Sequence, residues 1–150
     1  MKTGRSEKVA HQSQSFWESN SERYGHFIER HVYKHSLEFF KEELGVRFKG
    51  RVSVLELGSG TGIFAAGVLN ETDQIKQLTL LDFSESMTSR IKGRGLEHAN
   101  RNTEVSVQVL DAQEVGSLSS TFDMVVGHLL LNVLPDPRKC LDGCAQVLND

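Results

Sequence analysis

Cysteine, proline and tryptophan are scarce, at 2, 2 and 1 in 150 residues. Two thiols cannot build a disulfide framework. Cys140 and Cys144 stand four apart, but no cluster of His or Cys accompanies them to complete a metal site. They read as small core or half-buried side chains in a reducing, intracellular compartment. No apolar run approaches the ~18 residues a spanning helix needs, and Met1 to Ser15 is polar, without the hydrophobic stretch of a signal peptide. The expectation is a cytoplasmic chain with no membrane partner. Charge of one sign is also lacking. The net charge is -3, and the first 50 residues carry 9 Lys/Arg against 7 Asp/Glu. No basic field argues for nucleic acid.

The chain is long enough for one domain with a true core, and neither a repeat nor a linker divides it. Residues 1–15 are expected to form a flexible N-terminus, and 16–150 a single domain with a helical lead-in over 16–49. Tyr33, Leu37, Phe40 and Leu44 fall on one helical stripe. Arg51 to Leu57 is nearly continuous in apolar character, as a parallel strand covered on both faces would be. A glycine-rich turn, Gly58 to Gly62, leads into a helix from Ile63 to Leu69, whose Ala65, Ala66 and Gly67 permit close packing. Leu78 to Leu81 predicts a second strand, and Ser84 caps the helix that follows. Val105, Val107 and Val109 alternate in a third strand, Glu104 to Leu110. Phe122 to Leu131 reads as a fourth. Pro135 and Pro137 end it, and Pro137 opens a last helix from Arg138 to Leu148. One helix followed by four strand–helix units, the third helix short, predicts an α/β fold of Rossmann-like type: a parallel sheet with right-handed crossovers.

The sharpest local feature is Val54-Leu55-Glu56-Leu57-Gly58-Ser59-Gly60-Thr61-Gly62. Glycines without Cβ let the backbone bend sharply and lie close to a ligand, and the next helix presents free N–H groups and its positive dipole end. Three acidic residues, Glu56, Asp82 and Asp111, sit at the carboxyl ends of predicted strands. In an open parallel sheet that is where ligands bind. A carboxylate can accept both hydroxyls of a vicinal diol, and Phe83 and Met87 could pack on an aromatic base.

Glu56-Leu57-Gly58-Ser59-Gly60-Thr61-Gly62 resembles the first motif of the class I S-adenosylmethionine-dependent methyltransferases. Leu80-Leu81-Asp82-Phe83-Ser84, Val109-Leu110-Asp111-Ala112 and Phe122-Asp123-Met124-Val125-Val126-Gly127-His128 resemble the next three, in order. The resemblance covers about residues 50–150 and implies S-adenosyl-L-methionine as cofactor, with S-adenosyl-L-homocysteine as product. The glycine turn after Glu56 would wrap the methionine portion, and Asp82 would hold the ribose. Asp111 and the Ala112 N–H would meet the adenine, and His128 would lie beside the sulfonium. Phe16-Trp17-Glu18 with Tyr24-Gly25 resembles the helical flap of small-molecule methyltransferases, with Tyr24 reaching the cofactor or acceptor. The plainer reading is an amphipathic helix packing Phe16, Trp17 and Phe27.

The plain alternatives stay open for each residue: a structural Glu56, a helix-capping Asp82, a turn-closing Asp111, core Phe83 and Met87. The implied reaction is methyl transfer to a small-molecule acceptor without a metal. No catalytic base is identifiable beyond His128, for which a role without proton transfer is the simpler reading. Class I sheets usually have seven strands, and this sequence supplies four. The fourth strand would then be an apolar edge open to association. Two rival functions follow: a non-catalytic cofactor-binding or regulatory subunit, and an NAD(P)-dependent oxidoreductase. The second is weakened because Gly58-x-Gly60-x-x-Ile63 breaks the dinucleotide register.

Overall fold

The computed structural model describes residues 15–16, 19–20, 33–96 and 102–150. Helix α1 (Tyr33–Arg47) leads into β1 (Val52–Leu57), α2 (Ile63–Glu71), β2 (Ile75–Asp82), α3 (Glu85–Gly93) and β3 (Glu104–Val109). A 3-10 helix (Ala112–Ser117), β4 (Met124–Gly127) and α4 (Pro137–Val147) complete the order. The four strands are parallel, in the spatial order β3-β2-β1-β4. The order reverses between β1 and β4, so the chain steps from β1 outward to opposite sides and leaves a crevice at the strands' carboxyl ends.

Alternation along β1 divides the core in two. Val52 and Val54 join Phe40, Leu44, Phe64, Val68 and Ile91 on the face covered by α1, α2 and α3. Leu55 and Leu57 join Val115, Phe122, Cys140 and Val147 on the face covered by the 3-10 helix and α4. All six β1 residues are buried, including the polar Ser53 and Glu56 that interrupt the apolar run. Of the predicted α1 stripe, Leu37, Phe40 and Leu44 face this core. Leu37 packs so tightly on Gly67 that a Cβ there would lie 3.3 Å from its Cδ2. Cys140 is buried and Cys144 half-buried, and burial pushes the Cys140 thiol up to about 12, so it stays protonated and inert.

The fourth strand is shorter than its sequence suggests. It ends at Gly127 rather than Leu131, because Leu129 takes a left-handed φ of 54° that no strand accommodates. The apolar run beyond it is a loop. The start of the strand is fastened by Asp123, whose Oδ2 accepts from the Ser53 N–H at 2.7 Å and from Ser53 Oγ at 2.9 Å. The bond from the Ser53 backbone is the main reason its carboxyl is held below the usual range. The second strand is longer than expected, starting at Ile75. Phe122 forms an isolated parallel bridge with Leu148. Among the described residues, no helix is long and apolar enough to cross a membrane.

Candidate functional site

The site grows from the turn after β1. Gly58, Gly60 and Gly62 all take left-handed φ values, of 64°, 55° and 76°. Glycine is required twice over at Gly58, where a Cβ would meet Leu130 Cδ1 at 2.8 Å. Backbone bonds from Ser59 N–H to Leu81 O and from Gly62 N–H to Ser59 O, both 2.9 Å, lock the bend. The residue before α2, Gly62, has no side chain to cap the helix's first turn.

Asp82 closes β2 and joins the turn to the next helix. Its Oδ2 accepts from the Gly60 N–H at 2.8 Å, and its Oδ1 from the Ser84 N–H at 3.0 Å. Ser84 Oγ in turn accepts from the Met87 N–H at 3.3 Å, the predicted cap of α3. Through these two bonds Asp82 holds the glycine turn and the start of α3 together at the end of β2.

Glu56 is 2% exposed. Burial, and then the neighbouring charge of Asp82, raise its carboxyl from 4.5 to about 8. Its Oε2 is buried with no hydrogen-bond partner among the described residues. Asp111 caps the 3-10 helix. Its Oδ1 accepts from the Gln113 N–H at 2.9 Å, and both carboxylate oxygens accept from Gln113 Nε2, at 3.2 and 3.1 Å. Gln113 Oε1 then accepts from the Asp136 N–H at 2.9 Å, which fastens the post-β4 loop to this rim.

These groups surround one cleft of about 770 Å³, counting its open mouth. Gly58, Gly60, Asp82, Phe83, Met87, Asp111, Ala112 and His128, all singled out in the sequence, line it. Four predicted residues do not: Glu56, Ser59, Thr61 and Gly62 lie behind the cleft wall. Ser59 Oγ donates to Glu56 O, and Thr61 O accepts from Arg94 Nε, so these side chains and carbonyls are occupied in shaping the turn. Tyr24, Trp17 and residues 1–14 lie outside the described residues. Phe16 is 55% exposed, and the Trp17 and Phe27 of the plainer reading lie outside the described residues.

His128 is half-buried. Its ring stacks on Phe64, centroids 5.9 Å apart and 8° from parallel, and its Nε2 shares a 2.9 Å hydrogen bond with Ser36 Oγ of α1. Desolvation lowers its pKa, so the imidazole is neutral near pH 7. Sequence reasoning missed one whole wall: Leu129, Leu130, Val133, Leu134 and Pro135, with Leu110 and Gln113 beside Asp111. The signal was the apolar run past Gly127, misread as strand.

Comparison with known proteins bears on the family and the fold. Residues 54–150 match the family described as "Methyltransferase domain". The chain is 30% identical over 94 residues, 63% of its length and 44% of the relative's, to a phosphatidylethanolamine N-methyltransferase of Cereibacter sphaeroides. It is 26% identical over 145 residues, covering 88% of this chain and 50% of the relative, to the methyltransferase ucsB of an Acremonium species. The chain thus spans about half the length of the curated relatives it matches. Among solved structures, the N-methyltransferase NodS of Bradyrhizobium japonicum, in complex with S-adenosyl-L-homocysteine, superposes with TM-score 0.67 at 22% identity, over 92% of this chain and 67% of that one. The plantazolicin methyltransferase BamL superposes with TM-score 0.70 at 23% identity, over 97% and 55%. With a family match across most of the chain, on a four-stranded parallel sheet whose glycine turn and strand-end carboxylates meet at one crevice, the chain belongs to the class I, Rossmann-like S-adenosylmethionine-dependent methyltransferases.

Proposed function

We propose that the cleft binds S-adenosyl-L-methionine and that the whole protein transfers its methyl group to a small-molecule acceptor. One observation carries this reading: the glycine turn after β1, Asp82 at the end of β2 and Asp111 just beyond β3 converge on a single cleft. Two features test the fit. Leu130 fills the space a Cβ on Gly58 would need, so the turn is built for bare backbone, and Glu56 Oε2 is an acceptor left unfilled behind it.

In this reading the glycine turn faces the methionine portion, Asp82 accepts from the ribose hydroxyls, and Phe83 and Met87 pack on the adenine. Asp111 already holds Gln113, so the adenine edge would be met by this pair and the Ala112 N–H together. When bound, the sulfonium supplies a methyl already activated for displacement. The protein's own work is to hold acceptor and methyl in line and to exclude water. His128 suits orientation better than proton removal, because Ser36 and Phe64 already engage it. A small acceptor is supported by the balanced charge and by relatives named for phosphatidylethanolamine and plantazolicin.

Calorimetry with S-adenosyl-L-homocysteine, NADH and NADPH tests the cofactor. Binding of the first alone is expected, and binding of a nicotinamide cofactor instead would overturn the reading. Labelled S-adenosyl-L-methionine with an acceptor panel, with and without candidate partners, then separates enzyme from subunit.

A further inference from the structure

We propose that Leu129 is a positioning residue that acts through its backbone, seating Leu130 across the first glycine of the cradle while turning His128 toward α1. The inference rests on the cofactor reading above. Leu129 is the one non-glycine residue with positive φ among the described residues, at 54°. A side chain with a Cβ disfavours that conformation, and it persists only where the surroundings impose it.

The surroundings here are two anchors on either side. Before Leu129, His128 stacks on Phe64 of α2 and bonds Ser36 of α1. After it, Leu130 Cδ1 lies 2.8 Å from where a Gly58 Cβ would be, and its Cδ2 lies 3.3 Å from the same point on Gly127. Leu130 O accepts from the Val133 N–H at 3.0 Å and closes the loop. The left-handed residue is what sends two successive side chains in these directions. A right-handed or extended residue at 129 would keep one anchor and release the other. The Leu129 side chain is itself 48% exposed, so packing of that side chain does not explain the backbone it adopts. Leu130 in turn occupies the notch beside Gly58, so the glycine turn cannot relax toward the cleft. One tripeptide therefore sets both the cradle and the helix beside it.

The test compares Leu129→Asn, Leu129→Val and Leu130→Ala with the parent chain, reading S-adenosyl-L-homocysteine affinity by calorimetry and stability by urea unfolding. Asparagine tolerates the left-handed region, whereas β-branched valine resists it. The expected result is that Leu129→Val and Leu130→Ala each bind about tenfold more weakly than the parent, and that Leu129→Asn binds more tightly than Leu129→Val. A role as apolar wall predicts the reverse order at 129, so valine binding normally and asparagine weakly would overturn the proposal. If Leu129→Val does not fold, Leu130→Ala against Leu130→Met decides. Loss with alanine and recovery with methionine support the positioning role, and unchanged affinity with alanine overturns it. Absence of binding by the parent chain would overturn the cofactor reading and this inference with it.

Discussion

Replacing Glu56 by glutamine should stabilise the ligand-free protein, and increasingly so as pH rises. The carboxyl sits at about 8 in the folded chain, against an ordinary 4.5. Between those values the folded state holds a proton that the unfolded state has released. Stability therefore falls with rising pH through this window, by about 1.4 kcal/mol per unit, and is fully restored only below pH 4.5. The burden on the native state reaches about 3 kcal/mol at pH 7 and is at most ~5 kcal/mol above pH 8. Glutamine has nearly the same shape and no charge to desolvate. Its amide carries its own hydrogen-bonding requirement, but that cost does not vary with pH. The decisive quantity is thus the change in the stability difference between pH 5 and pH 8, measured by urea unfolding without ligand. A stabilisation several-fold larger at pH 8 is expected. An equal difference at both values would refute the burial argument and show that Glu56 finds a compensating partner. Because a buried acid with a displaced pKa is a common mark of a functional site, the same variant should also bind S-adenosyl-L-homocysteine more weakly.

Asp82→Ala should weaken S-adenosyl-L-homocysteine binding by about 1–3 kcal/mol, since ribose donors would lose their acceptor; unchanged calorimetric affinity would remove Asp82 from the site. Gly60→Val should abolish that binding while far-ultraviolet dichroism persists, because the left-handed φ of 55° excludes a β-branched residue. Phe122→Ala, at a position 1% exposed, should cost about 3–5 kcal/mol in urea unfolding through the cavity it leaves. The His128 pKa lies below its ordinary 6.5, so the unfolded state takes up protons first as pH falls. His128 therefore opposes the Glu56 gain below about pH 6.5, and His128→Asn should make the rise in stability on acidification steeper in thermal melts.

The order of elements was legible because buried parallel strands need uninterrupted apolar runs and their helices need an apolar stripe. Val52 to Leu57, the Leu37–Phe40–Leu44 stripe and the Ser84 cap each express such a local rule. The glycine turn and Asp82 were legible for the same reason: backbone geometry and strand ends leave fixed marks in sequence. What misled was the run after Gly127. Leu129, Leu130 and Leu131 are as apolar as any strand, and nothing in residue type announces a left-handed turn at a leucine.

Composition and periodicity alone determined an α/β sheet with a bent glycine segment and three acidic strand ends. Only the tertiary structure decided which of those acids meet the cleft. It buried Glu56 behind the turn, tied Gln113 to the Asp136 N–H and gave one wall of the cleft to the loop after β4. The physical reason is that burial and contact arise between segments distant in the chain: Leu130 touches Gly58, and His128 touches Ser36. No short-range pattern records such meetings.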